Sequence, residues 1–183
     1  MIDLARFSRP PVVIAGCGRS GTTVLLSMLS AHHSIYAIPD ETGLLCPTGY
    51  EETPDLSLQP DLFGLYRLLA GADLPPSCTR WCEKTPRNIL YLKPILEFFG
   101  ADVRIIQIVR DGRDVVTSVH PSNNAAYHVT AGRWIGDVAA GLPYEKHESV
   151  LTVRYEDLVL EYERTTGVRT WRRGSAAVRG FLP

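Results

Sequence analysis

Val12-Val13-Ile14-Ala15-Gly16-Cys17-Gly18-Arg19-Ser20-Gly21-Thr22-Thr23 is the stretch on which the fold turns. Pro10-Pro11 closes a polar lead-in, and the apolar run Val12 to Ala15 has the length and β-branched content of a short buried strand. Beyond the glycines, Val24, Leu25, Met28 and Leu29 recur at helical spacing, so a helix begins near Thr22. Strand, glycine turn and helix in that order gather backbone N–H groups at the positive end of a helix dipole, an arrangement that suits an anion.

Three ligand classes fit this turn. Gly16-x-Gly18-x-x-Gly21 has the dinucleotide-binding spacing, with Asp40 nineteen positions past Gly21 as a ribose partner. Gly16-x-x-x-x-Gly21-Thr22-Thr23 has the P-loop spacing, but Thr22 stands where a kinase or GTPase carries the lysine that reaches the β- and γ-phosphates. The third class takes its charge from Arg19, with Ser20, Thr22 and Thr23 adding hydroxyls beside the backbone N–H groups. All three ligands carry phosphate; the loop alone does not choose among them.

Working outward, Ile35 to Ile38 reads as a second strand ended by Pro39, and the turn formers of residues 40–60 as a loop over a binding site. Asp61 to Ala70 and Asn88 to Phe99 have helical periodicity, the second stopping at Gly100. Val103 to Val109 has the continuous apolarity of a strand covered on both faces. Helices are expected over Asp111 to Val119 and Thr130 to Ala140, then a strand over Val150 to Val153. Strands alternating with helices predict an α/β, P-loop-type three-layer fold, a mainly parallel sheet flanked by helices. In such folds ligands sit at the carboxyl ends of the strands, where the glycine loop and the turns after Ile38 and Val109 converge.

A chain of 183 residues, 45% apolar and 21% charged, has material for one compact core, and a single domain over 1–183 is expected. Its net charge of −1 gives no global pull toward nucleic acid or an anionic membrane. No apolar run nears the roughly 20 residues of a membrane span, and the N-terminus lacks signal-peptide order, so a cytoplasmic location is expected. Cys17, Cys46, Cys78 and Cys82 are too scattered for a disulfide framework. Cys78 and Cys82 could share a helix face or clip a metal, but no second ligand pair lies near, and no metal site is expected. The stretch 164–183 is an atypical tail, with Arg164, Arg169, Arg172, Arg173 and Arg179 among small and polar residues.

Two further clusters carry charge. Arg110 leaves the carboxyl end of the Val103–Val109 strand, and Ser118 lies about two helical turns on, eight positions away, so both reach one phosphate only if the helix runs alongside it. Equally, Arg110, Asp111, Arg113 and Asp114 read as an ion-paired helix start. In order along the chain, Gly16 to Thr23, Glu83-Lys84-Thr85-Pro86, Val109-Arg110-Asp111-Gly112-Arg113-Asp114 through Ser118, and Arg154-Tyr155-Glu156-Asp157-Leu158 resemble sulfotransferases that use 3′-phosphoadenosine 5′-phosphosulfate (PAPS). The resemblance covers about residues 11–160 and is strongest to the tyrosylprotein and heparan-type branch.

That resemblance implies a sulfuryl transfer from PAPS to an acceptor hydroxyl on a protein tyrosine, glycan, lipid or small metabolite, with no metal. By the same resemblance, Arg19, Ser20, Gly21, Thr22 and Thr23 hold the 5′-phosphosulfate, Arg110 and Ser118 the 3′-phosphate, and Tyr155 lies near the nucleotide. Lys84 and Arg19 match the cations that stabilise the transferring group, and Glu41, in a Glu-Thr context, matches the base, with Asp40 one position before it as the other candidate. His32, His33 and His120 fall outside the motif of the histidine-using branch. No nucleic acid or membrane partner is expected, and a homodimer is allowed. Family members run well past the Tyr155 segment, and some carry a further 3′-phosphate arginine where this chain has Ser122. A C-terminally truncated member, or a silent nucleotide-binding module, is therefore the alternative to an active enzyme. A P-loop kinase or an NAD-binding protein stands behind both.

Overall fold

The computed structural model describes residues 7–49, 53–120 and 123–160; the arginine-rich tail and Ser122 lie outside the described residues. Strand β1 (Val12–Gly16) is wholly buried. It leads through the glycine turn into helix α1 (Thr22–Ser30), whose Leu25, Leu26 and Leu29 are buried. Strand β2 (Ile35–Ala37), helix α2 (Leu62–Gly71) and strand β3 (Arg80–Lys84) follow. A 3₁₀ segment (Pro86–Tyr91) passes into helix α3 (Leu92–Phe99) and strand β4 (Arg104–Val109). Helix α4 (Gly112–Val116), the short antiparallel pair β5 (Val119–His120) and β6 (Asn123–Tyr127), and helix α5 (Ala131–Gly141) precede strand β7 (Val150–Arg154) and helix α6 (Tyr155–Leu160).

The five-stranded sheet has the order β2-β3-β1-β4-β7, every neighbouring pair parallel. The α/β expectation therefore holds. In the dinucleotide-binding order 3-2-1-4-5-6 the second strand adjoins the first; here β3 takes that place. The period-2 alternation of strands sorts β1 between two cores. Val12 and Ile14 pack with Leu25, Leu26 and Leu29 of α1 and Leu158 of α6, while Val13 and Ala15 face Leu65, Leu69, Leu92 and Ile95 of α2 and α3.

Several elements depart from the sequence reading: the helix expected over Asn88 to Phe99 is 3₁₀ up to Tyr91, and the β5–β6 pair was not expected. The helix expected over Asp111 to Val119 stops at Val116, where the crowded β-branched run Val115-Val116-Thr117 gives way to β5. Strand β3 was not expected at all: Arg80-Trp81-Cys82-Glu83-Lys84 carries three charges, yet all five residues are buried. Cys82 lies inside that strand, so it shares no helix face with Cys78; all four cysteines are buried and none is in a disulfide.

Candidate functional site

The parallel sheet brings the carboxyl ends of β1, β3, β4 and β7 to one edge. At the centre is the glycine turn. Gly21 has φ +94°, a conformation that favours glycine, and a Cβ there would lie 2.3 Å from the Tyr155 ring. Arg19 also occupies the left-handed region, with φ +68°, a strained setting for a long side chain. Helix α1 begins at Gly21 without a side-chain cap and without an acidic residue in its first turn, which leaves first-turn N–H groups for a ligand. Ser20 Oγ, fully buried in the turn, has no hydrogen-bond partner among the described residues. An orphaned hydroxyl beneath an uncapped helix start fits an anion.

Arg19, Gly21, Thr22, Thr23, Val24, Arg110 and Tyr155 line a cleft of about 210 Å³. Arg19 Nε donates to Ser118 Oγ at 2.9 Å, and Arg110 Nη1 donates to the Arg19 carbonyl at 3.1 Å. The Arg110 guanidinium lies 4.4 Å from the centre of the Tyr155 ring, a cation–π contact that orients it. Its ion pair to the exposed Asp114 at 3.6 Å is weak, and Arg110 Nε is buried with no hydrogen-bond partner among the described residues. The structure splits the charged cluster after β4. Asp111 caps α4 and pairs with the exposed Arg113, whose hydrogen bonds hold the Asp111 carboxyl down to about 2, whereas Arg110 turns to the glycine loop. Ser118 arrives beside Arg19 because α4 is short, not because a helix runs alongside. Two residues to which the sequence reading gave no role steady this turn: Glu156 accepts from the Asp111 backbone N–H at 2.9 Å, and Trp134 Nε1 donates to the Arg110 carbonyl at 3.2 Å.

The second half of the site stands at the end of β3. Lys84 is buried and its Nζ meets Glu41 Oε1 at 2.5 Å, bridging 43 positions of sequence. Lys84 does not pair with its neighbour Glu83; of the two adjacent exposed carboxylates, Asp40 and Glu41, it is Glu41 that meets the ammonium. Glu83, fully buried, accepts from Thr42 Oγ1 (2.9 Å), Thr85 Oγ1 (2.6 Å) and Asn88 Nδ2 (2.6 Å).

Beneath the glycine turn lies a buried charge cluster that spacing could not reveal. Asp137 of α5 sits 3.8 Å from Arg87 Nε and 3.7 Å from Arg133 Nε. Arg87 Nη1 also donates to the Gly49 carbonyl at 2.9 Å, and Arg133 Nη2 lies 3.4 Å from where a Cβ on Gly18 would be. Burial raises the Asp137 carboxyl, and burial together with Asp137 raises the Cys17 thiol. Among the described residues no group of three or more His, Cys, Asp or Glu side chains is placed to hold a metal ion, and no helix is long and apolar enough to cross a membrane.

Fold and site together define an α/β protein with an arginine-lined crevice around an uncapped glycine turn at the carboxyl ends of its strands. A sequence profile of the sulfotransferase family matches residues 65–167, more than half of the chain, and the chain belongs to that family. Over 151 residues it is 31% identical to an uncharacterized protein of Aquifex aeolicus (strain VF5), an alignment covering 70% of this chain and 20% of the relative. The chain thus spans about a fifth of that relative's length. Its fold is similar to the crystal structure of a sulfotransferase from Alicyclobacillus acidocaldarius, with a TM-score of 0.55, 18% identity, and coverage of 91% of this chain and 84% of that one. It is also similar to the sulfotransferase domain from the curacin biosynthetic pathway, with a TM-score of 0.57, 21% identity, and coverage of 87% and 72%.

Proposed function

We propose that this chain binds PAPS and catalyses transfer of its sulfuryl group to an acceptor hydroxyl. The observation that carries this reading is the pairing of an uncapped, arginine-flanked glycine turn with a buried lysine and carboxylate one strand away. Thr22, Thr23, Ser20 and the first-turn N–H groups suit the 5′-phosphosulfate, and Arg110 with Ser118 suits a second phosphate. When bound, PAPS supplies the sulfuryl group that passes from its phosphate oxygen to the acceptor oxygen. Charge gathers on the oxygens around the transferring group, so the chain contributes position and cations. Arg19 and Lys84 are those cations. Glu41 takes the acceptor proton, and the anionic ligand competes with Glu41 for the Lys84 ammonium, which releases the carboxylate for that task.

Thermal denaturation with nucleotides differing only in the 3′-phosphate tests the reading. At a hundredfold excess over the dissociation constant, 3′-phosphoadenosine 5′-phosphate (PAP) is expected to raise Tm by roughly 5–10 °C. Adenosine 5′-phosphate is expected to do much less, and Arg110→Ala to remove the difference. Equal shifts from the two nucleotides would overturn the proposal. Binding of PAP without release of label from PAPS would leave a silent binding module.

A further inference from the structure

The Glu41–Lys84 pair joins a loop to a strand end across 43 positions, and no regular hydrogen-bond ladder holds the two together. What joins them is the residue beside each partner. Side chains alternate along β3, so Glu83 points to the face opposite Lys84 and cannot reach the ammonium itself. Instead it receives the hydroxyl of Thr42, the residue next to Glu41, at 2.9 Å. Two adjacent contacts, Thr42 to Glu83 and Glu41 to Lys84, zip residues 41–42 onto residues 83–84.

The hydrogen-bond directions around Glu83 are fully specified. Thr42 Oγ1 accepts from the Leu44 backbone N–H at 3.1 Å, and Thr85 Oγ1 accepts from the Gly43 backbone N–H at 3.2 Å. Each hydroxyl therefore keeps its own proton for Glu83 Oε1, while Asn88 Nδ2 donates to Oε2 and also to the Ile14 carbonyl of β1 at 3.3 Å. Three donors converge on one buried group, and only a group that accepts at both oxygens satisfies them. Glutamine presents a donor at one of those positions and would face either two hydroxyl protons or an amide N–H.

We propose that Glu83 is a positioning residue: through Thr42 it fixes Glu41 against Lys84 at the carboxyl end of β3. This deepens the sulfuryl-transfer reading, because the pair it fixes is the one assigned to the acceptor proton and the transferring group.

The test reads the Lys84 contact directly and needs no turnover. Wild type, Glu41→Gln, Glu83→Gln, Thr42→Val and the Glu83→Gln/Thr42→Val double variant are exposed briefly to limiting acetic anhydride. Acetylation of Lys84 is then quantified by peptide mass spectrometry against the exposed Lys93 and Lys146. Loss of Glu41 frees the ammonium, so Glu41→Gln sets the full increase. Glu83→Gln and Thr42→Val are expected to reach a similar increase, about tenfold for loss of a charge-assisted bond, with the double variant no higher than either. Wild-type labelling of Lys84 in Thr42→Val would overturn the proposal, and that variant removes one hydroxyl only, so it guards against a Glu83→Gln protein that fails to fold. Summed increases in the double variant would likewise refute a shared route. With labelled PAPS and 4-nitrophenol as probe acceptor, Glu83→Gln is expected to lower kcat about tenfold and to leave KM for PAPS within about twofold, since Glu83 touches neither phosphate site. A wild-type protein that ignores PAP and PAPS refutes the functional reading while the Lys84 labelling contrast still decides the role of Glu83.

Discussion

His32, just past the end of α1, carries a pH response that belongs to one side chain. Its Nδ1 accepts from the Ser34 backbone N–H at 3.1 Å and lies 2.7 Å from Ser34 Oγ, and its ring stacks on His33 at 4.7 Å. Burial, then His33, then Arg80 lower its pKa from 6.5 to about 4. The folded protein therefore holds this proton less readily than the unfolded chain. Between about pH 6.5 and 4 the unfolded state binds more protons, so stability is full above 6.5 and declines as the pH falls through that window. His32→Asn should flatten the fall in urea midpoint between pH 6.5 and 5; an unchanged slope would remove His32 from the account. At this scale the sequence offered Arg19, Lys84 and Arg110 through their motifs and Glu41 beside Asp40, and the structure brings Glu41 to Lys84 and Arg110 to the glycine turn. The sequence did not reveal Glu83 as the anchor of Glu41. That relation spans 41 positions and depends on which face of a strand each side chain takes.

The strand–turn–helix element was legible because one short stretch carries apolar run, glycines and helical period together. Its tightest point is Gly21, where positive φ and the Tyr155 ring exclude a side chain. Gly21→Ala is expected to cost about 1–3 kcal/mol in backbone strain, with ring displacement in addition, and to weaken PAP binding more than adenosine binding. Pairing it with Tyr155→Ala should recover part of the stability, measured by denaturant titration, since the space opens while φ stays unfavourable. A full loss retained in the double variant would show that the ring is not what Gly21 accommodates. Strand β3 was illegible for the opposite reason. Arginine, glutamate and lysine within five residues leave no apolar run to read, yet all three are buried, Glu83 among the donors of Thr42, Thr85 and Asn88 and Lys84 against Glu41. Patterning rules assume that charge means exposure, and a site-bearing strand at the middle of a parallel sheet breaks that assumption.

Across the whole molecule, Asp137 joins parts that no motif connects. It bridges Arg87, which holds the Gly49 carbonyl, and Arg133, which lies under Gly18. Asp137→Ala leaves two guanidinium groups buried without their shared carboxylate and is expected to lower stability by about 3–5 kcal/mol. Chemical denaturation reads that loss, and a change below about 1 kcal/mol would show that solvent reaches the cluster. The strand order has a consequence for the ligand's dimensions. Lys84 lies level with Ile14 and Ile106, and Arg110 stands four residues beyond Ile106 on the far side of β1. Two interstrand spacings across and four residues of rise set these two backbones about 16 Å apart. The sheet thus acts as a ruler. A ligand that meets both side chains would lie across the carboxyl end of β1, approached from the two strands that flank it.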